Sequence, residues 1–185
     1  MRDEVAAVAI KLFAEHGFDS VTTAQIAAEA GISPRSFFRY FPTKEDVVLG
    51  SLTDSGTRVR DALAARPVDE SAWVALGQAM HVLIDRPVYP SEDLEVIARI
   101  ILETPSIRAR DQEKYQQWED LLAPGVAQRL GSTRDSSVVG VDDRARAMVG
   151  AACACLRIST ELWLRSTGAE DPALIFDELL LSLRT

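Results

Sequence analysis

The feature that most constrains this chain is a pair of helix-start signals set around one turn, in TTAQIAAEAGISPRSFFRYFPTKED. Thr22 followed three residues later by Gln25 has the form of a capping box, in which each side chain satisfies a backbone N–H of the other residue. A helix therefore starts at Thr23 and stops near Ala30, because Gly31 readily takes the left-handed conformation that closes many helices. Ser33 caps the next helix, with Pro34 at its first position, where a missing N–H costs nothing. Pro42 ends that helix soon after Tyr40, and Thr43 with Asp46 repeats the box at the start of another. Two short helices, 23–30 and 34–40, are thus joined by Gly31-Ile32-Ser33, which is a helix-turn-helix arrangement. Ile26, Ala27, Ala30, Ile32 and Phe37 supply its apolar joint.

Helical periodicity continues on both sides. Val5, Val8, Ala9, Leu12 and Phe13 recur at helical spacing and are closed by Gly17. Beyond Lys44 the pattern predicts one helix to about Ala65, others over 70–85 and 92–103, and one opened by Pro105 that Pro124-Gly125 kinks or breaks. Residues 131–143 read as a loop, followed by a long helix over 143–166 and a last one from Pro172. No internal repeat and no strand alternation appears, so the expected fold is all-α. Residues 1–46 form a three-helix helix-turn-helix domain and 47–185 a second helical domain.

Charge narrows what such a chain can bind. Its net charge of −8 excludes a surface that is a nucleic-acid platform throughout. Yet Gly31 to Lys44 holds Arg35, Arg39 and Lys44 and no acid, and charges beyond a Debye length of ~8 Å are largely screened. A local cationic element on an anionic body can therefore still meet phosphate. No apolar run reaches the ~18 residues of a membrane span, and the N-terminus has neither the basic region nor the cleavage site of a signal peptide. Cys153 and Cys155 would point to nearly opposite sides of a helix, which fits buried thiols in a reducing, cytoplasmic setting.

In a helix-turn-helix the second helix enters the major groove and presents its N-terminal residues to base edges. Arg35 can bond a guanine bidentately, and Ser36 can reach a base or a phosphate. Arg39, one turn on, Tyr40 and Lys44 are placed for phosphate, as is Thr23 at the start of the first helix. Ser33 and Pro34 set the entry of the reading helix, so the expected DNA-binding set is Thr23, Ser33, Pro34, Arg35, Ser36, Arg39, Tyr40 and Lys44. Phe37 and Phe41 read as core.

The stretch VTTAQIAAEAGISPRSFFRYFPTKEDVV resembles the DNA-binding domain of the TetR family of transcriptional regulators. Val21, Thr22, Ile26, Ala27, Ala30, Gly31, Ile32, Ser33, Tyr40, Phe41, Pro42, Lys44 and Glu45 carry the resemblance, which is dense over about residues 5–50. Two departures stand out. Phe38 occupies a position where relatives commonly have tyrosine, and only Arg2 precedes the first helix where relatives often carry a basic arm. Either the numbered chain is a shortened version or, with this N-terminus native, binding is expected to lean more on Arg35, Arg39, Tyr40 and Lys44. The stretches TPSIRARDQEKYQQWEDLL and ARAMVGAACACLRISTELWL are similar to the C-terminal domain of mycofactocin-system regulators. That resemblance implies an apolar pocket in each subunit and a homodimer held by the last two long helices.

The residues agree in part with that implication. Met148, Ala152, Cys155, Ser159 and Leu162 follow helical spacing in the penultimate helix, and Leu174, Ile175, Leu179 and Leu183 make a stripe in the last. Together they form the expected dimer interface; the competing reading assigns the same stripes to the subunit's own core. Trp73, Leu76, Met80, Ile97, Ile101, Tyr115, Trp118 and Arg157 are the ligand-pocket candidates, each also a candidate for simple core. Arg157, within the apolar run from Ala151 to Ile158, either pairs with Glu161 or faces an anionic ligand. His81 reads as packing or surface.

Enzymatic signatures are missing: there is no G-x-S-x-G, no glycine-rich phosphate loop and no H-E-x-x-H, and two histidines with two cysteines on one helix make a poor zinc set. No catalytic residue, cofactor or metal is therefore expected. The reading is a non-enzymatic, ligand-responsive regulator that binds a palindromic double-stranded DNA operator as a dimer, represses, and is released by a largely apolar small molecule, without membrane involvement. An activator with the same head, or a ligand-binding dimer without an operator, are the alternatives.

Overall fold

The structure is a computed structural model and describes residues 1–50, 52–85, 91–131, 139–166 and 170–184, without the side chains of 52–54 and 91–94. Among these residues the chain is all-α: α1 Arg2–His16, α2 Thr23–Glu29, α3 Pro34–Tyr40, α4 Glu45–Leu49, α5 Leu52–Ala64, α6 Ala72–Asp85, α7 Ser91–Glu103, α8 Pro105–Leu130, α9 Val141–Arg165 and α10 Pro172–Ser182. Two compact units are present. The first holds α1–α4 as far as Leu52, together with α7 and the start of α8 as far as Asp111; the second holds α5, α6, α8 from Gln112, α9 and α10.

In the first unit the boundaries are made by the side chains that the sequence singles out. Thr22 Oγ1 accepts the Gln25 N–H at 3.2 Å and Gln25 Oε1 accepts the Thr22 N–H at 2.8 Å. At the other end of α2, Ile32 N–H donates to Ala27 O at 2.9 Å and Gly31 N–H to Ala28 O at 3.1 Å, with Gly31 at φ 66°. This is a Schellman closure, which orients the turn and brings Ile32 back onto the joint. Ser33 Oγ then accepts the Ser36 N–H at 3.1 Å to start α3. Thr43 and Asp46 bond reciprocally ahead of α4, at 2.9 Å and 3.2 Å.

Two expectations are corrected here. The single helix from Lys44 to Ala65 is instead α4 and α5, because Gly50 takes φ 67° while Val47, Val48 and Leu49 are buried in the first unit. The compact units also do not divide at residue 46. α7 packs on α1 and α4, and Ile97 and Ile107 join Val5, Ile10, Phe13, Ile26, Phe37, Phe41 and Val47 in one core. Three short helices bury little apolar surface alone, and α7 covers the remainder.

The second unit is held by long-range packing. Leu76 and Met80 of α6, Leu122 and Val126 of α8, Val149 and Ala152 of α9, and Phe176 of α10 are among its fully buried residues. Pro124 lies within α8 without ending it, since Leu122 and Val126 are buried on either side. Gly125 lets Leu63 approach closely: a Cβ there would sit 3.2 Å from the leucine Cδ2. Arg129 donates to Leu63 O, Arg66 O and Pro67 O at 2.9, 2.9 and 2.6 Å, tying α8 to the backbone at and just beyond the end of α5. α9 is long and apolar enough to cross a bilayer by length and composition alone. Its Ala145, Val149, Ala152, Cys153 and Cys155 face this core, as expected of the central helix of a globular unit.

Candidate nucleic-acid interface

The recognition element begins with which residues α3 buries. Phe37 is fully buried and Phe41, which follows the helix, nearly so; their rings lie 5.7 Å apart. Spacing then dictates the rest. Arg35, Phe38 and Arg39 lie on the opposite, exposed face, with Ser33 and Pro34 exposed at its start and Ser36 and Tyr40 at its edges. Burying two phenylalanines is thus what turns the arginines outward. No acid occurs in α3, whereas Asp3, Glu4, Glu15 and Glu29 lie on α1 and α2.

Several side chains are already oriented. Arg39 Nη2 donates to Tyr40 Oη at 3.0 Å, with its guanidinium 5.0 Å from the Tyr40 ring centroid, so the two form one amphipathic surface. Ser36 Oγ lies 3.0 Å from Ser33 Oγ. Thr23 is half-buried at the first position of α2. Arg2, the first residue of α1, lies over the Phe41 ring at 5.0 Å.

Lys44 is in a different situation. Its Nζ donates to Phe18 O at 2.7 Å and Val21 O at 2.9 Å and lies 4.2 Å from the Phe18 ring centroid. The ammonium ties the α1–α2 connection to the start of α4, a positioning task that the sequence reading missed. Sequence gave no signal for it, because the partners are backbone carbonyls 26 and 23 residues away.

The second unit sorts the remaining candidates. Leu76, Met80 and Trp118 are packed core, with the indole against Gly56, where a Cβ would come within 2.8 Å. Tyr115 meets Trp118 edge-on at 5.8 Å. Trp73 donates its Nε1–H to Leu180 O at 3.1 Å and lines an open cleft of about 220 Å³ with Gly77, Gln78, Asp177, Leu181 and Arg184. Ile97 and Ile101, expected in the same pocket, belong to the core of the first unit. Arg157 is exposed and ion-paired with Glu161, as in the first of the two readings of that residue. His81 Nε2 lies 2.8 Å from Asp177 Oδ1 with its ring edge-on to Phe176, joining α6 to α10.

The expected dimer stripe is corrected on α9. Ala152, Cys155 and Ser159 are buried in the chain's own core and leave no surface for a partner, while Met148 packs against that core and stays half-buried. Burial pushes the Cys155 thiol up from its ordinary pKa. Leu162, Leu174 and Leu183 are exposed, Ile175 and Leu179 half-buried. Leu181, one heptad after Leu174, is 59% exposed and was missed although its spacing was readable.

Comparison with known proteins accords with this geometry. Residues 6–50 match the family of bacterial regulatory proteins known as the tetR family, and residues 70–185 match the MftR C-terminal domain. The chain is 30% identical over 193 residues to the HTH-type transcriptional regulator TcmR of Streptomyces glaucescens, covering 99% of this chain and 82% of that one. It therefore belongs to the TetR family of transcriptional regulators, with a DNA-binding helix-turn-helix head. Among solved structures, a TetR-family repressor FadR of Thermus thermophilus, in complex with lauroyl-CoA, shares the fold at a TM-score of 0.60 and 23% identity, covering 100% of this chain and 93% of that one. The fatty acid degradation regulator FadR of Bacillus halodurans gives 0.66 at 18% identity, with 99% and 96% covered.

Proposed function

We propose that the protein is a homodimeric repressor that binds a palindromic operator and is released by a largely apolar small molecule. The observation that carries the reading is the construction of α3: Phe37 and Phe41 fix the helix from behind, and an acid-free face with Arg35 and Arg39 is left exposed. Within each half-site, Arg35 and Ser36 would reach base edges, while Thr23, Arg39 and Tyr40 hold phosphates, at a spacing of about 34–36 Å between half-sites. The exposed leucines 162, 174, 181 and 183 support a partner subunit on α10 and the end of α9. Repression and an acyl-CoA effector, apolar in its acyl chain though anionic in its CoA part, are drawn from the FadR of Thermus thermophilus, whose complex with lauroyl-CoA makes that acyl thioester the first effector to try. The reading places the protein in the cytoplasm, where operator and acyl thioester meet, and assigns it no catalysis.

Selection of genomic fragments on the purified protein tests this, followed by fluorescence anisotropy of the enriched sites at about 50 and 200 mM salt, a range over which phosphate-only binding collapses. A palindrome retained at the higher salt and lost in Arg35→Ala is the expected result. Sequence-indifferent binding that disappears with salt would leave phosphate attraction alone and overturn the operator. Titrating lauroyl-CoA into the complex then tests release. Moving such an equilibrium from 1:99 to 99:1 needs a ~10⁴-fold preference of the effector for the DNA-free form.

A further inference from the structure

Phe38 is the residue of α3 that the reading above leaves without a task. It lies on the exposed face between Arg35 and Arg39 and is 51% exposed, although burial favours an aromatic ring. The ring is anchored: it meets Phe37 edge-on, with centroids 5.5 Å apart and planes at 88°, and Phe37 is itself fully buried. An apolar ring is thus held out on the same exposed face as Arg35 and Arg39. It has no donor or acceptor, so it cannot bond a phosphate or a base edge. The apolar group that base edges offer in the major groove is the C5 methyl of thymine.

We propose that Phe38 is a specificity-determining residue, packing on the 5-methyl group of a thymine in each operator half-site next to the base read by Arg35. The assignment rests on α3 being the groove-entering helix. An exposed phenylalanine that merely covers Phe37 would leave affinity indifferent to the methyl group.

The test replaces each thymine of the selected palindrome by uracil, symmetrically in both half-sites, which keeps base pairing and removes only the methyl. Dissociation constants are measured by anisotropy for the full-length wild type, Phe38→Ala and Phe38→Asn, with thermal melts of all three. One position is expected at which uracil weakens the wild type about 15-fold, two methyls at about fourfold each from the transfer free energy of a methylene. Both variants are expected to bind the thymine and uracil forms within about twofold of each other, the second variant serving should the alanine prove unstable. Indifference of the wild type at every position, equal losses in wild type and variants, or a half-site without an A·T pair would each overturn the proposal. Failure of the selection to yield any palindrome is seen before uracil is introduced, and it overturns the operator reading as well.

Discussion

The two units of this molecule reach order by different routes. In the first, hydrogen bonds between residues three apart set the helix starts, Thr22 with Gln25, Ser33 with Ser36 and Thr43 with Asp46. In the second, polar contacts that join helices reach up to about a hundred residues along the chain: Trp73 to Leu180 is 107 residues and His81 to Asp177 is 96. The head is a geometry written locally, as a reading element must be if its arginines are to stand at fixed positions. The second unit is a packing problem solved at long range, which leaves its surface and clefts free to vary with ligand.

The largest effects should come from deleting the buried ring at the centre of each unit. Phe37→Ala and Phe176→Ala each remove a fully buried side chain, and about 3–5 kcal/mol is expected from either. Differential scanning calorimetry should show the first in the transition of the DNA-reading unit and the second in that of the other unit, with DNA affinity abolished only by Phe37→Ala. A single transition shifted equally by both would break the comparison, since the units would then unfold as one.

Lys44→Met sharpens it. Two hydrogen bonds from a charged group to loop carbonyls are lost, and roughly 2–3 kcal/mol of stability in the first unit is expected to go with them. The salt dependence of operator binding should keep its slope. A drop in that slope by about one would instead identify Lys44 as a phosphate ligand, and would mean that the ammonium leaves Phe18 and Val21 when DNA arrives.

A smaller matched pair tests the caps. Thr22→Ala removes the box on α2, and Asp171→Ala removes the side chain that accepts the Ala173 N–H at 2.9 Å ahead of α10. Each is expected to cost about 1 kcal/mol, measured by thermal melting, but only Thr22→Ala should weaken operator binding, because only α2 sets the turn into α3. Equal effects on DNA affinity would show that the reading geometry depends on the second unit as much as on its own caps.

This contrast also explains what could be read in the sequence. The helix-turn-helix was legible residue by residue because its signals lie within four positions of one another and each has one mechanical meaning. The break at Gly50 was not, since a glycine inside a helical pattern ends it only when burial on one side demands it, here of Val47, Val48 and Leu49. Ile97 and Ile101 looked like Trp73 and Leu76, large apolar residues on a helix face, and no local feature says which core receives them. Ala152, Cys155 and Ser159 show the same ambiguity: a stripe of small residues fits a partner helix or a subunit's own core, and the choice is made by packing against α10 and against α6, the latter far away in sequence.

Arg157 gives the smallest effect and the most discriminating one for its size. Inside an apolar run it looked like a group needing either an ion pair or an anionic ligand, yet it is exposed, paired with Glu161, and Arg165 lies 3.9 Å from the same carboxylate. An exposed pair one helical turn apart contributes about 0.3–0.5 kcal/mol, and Arg165 stands ready to take over the glutamate. Arg157→Gln should therefore lower the second unit's melting temperature barely, and should leave operator release by lauroyl-CoA unchanged when measured as the acyl-CoA concentration at half dissociation. A rightward shift of ten-fold or more in that concentration, at unchanged stability, would return Arg157 to the ligand site. It would also mean that the Glu161 pair opens when the anion binds, making the second unit, like the head, a place where single charged side chains rather than packing alone decide what is bound.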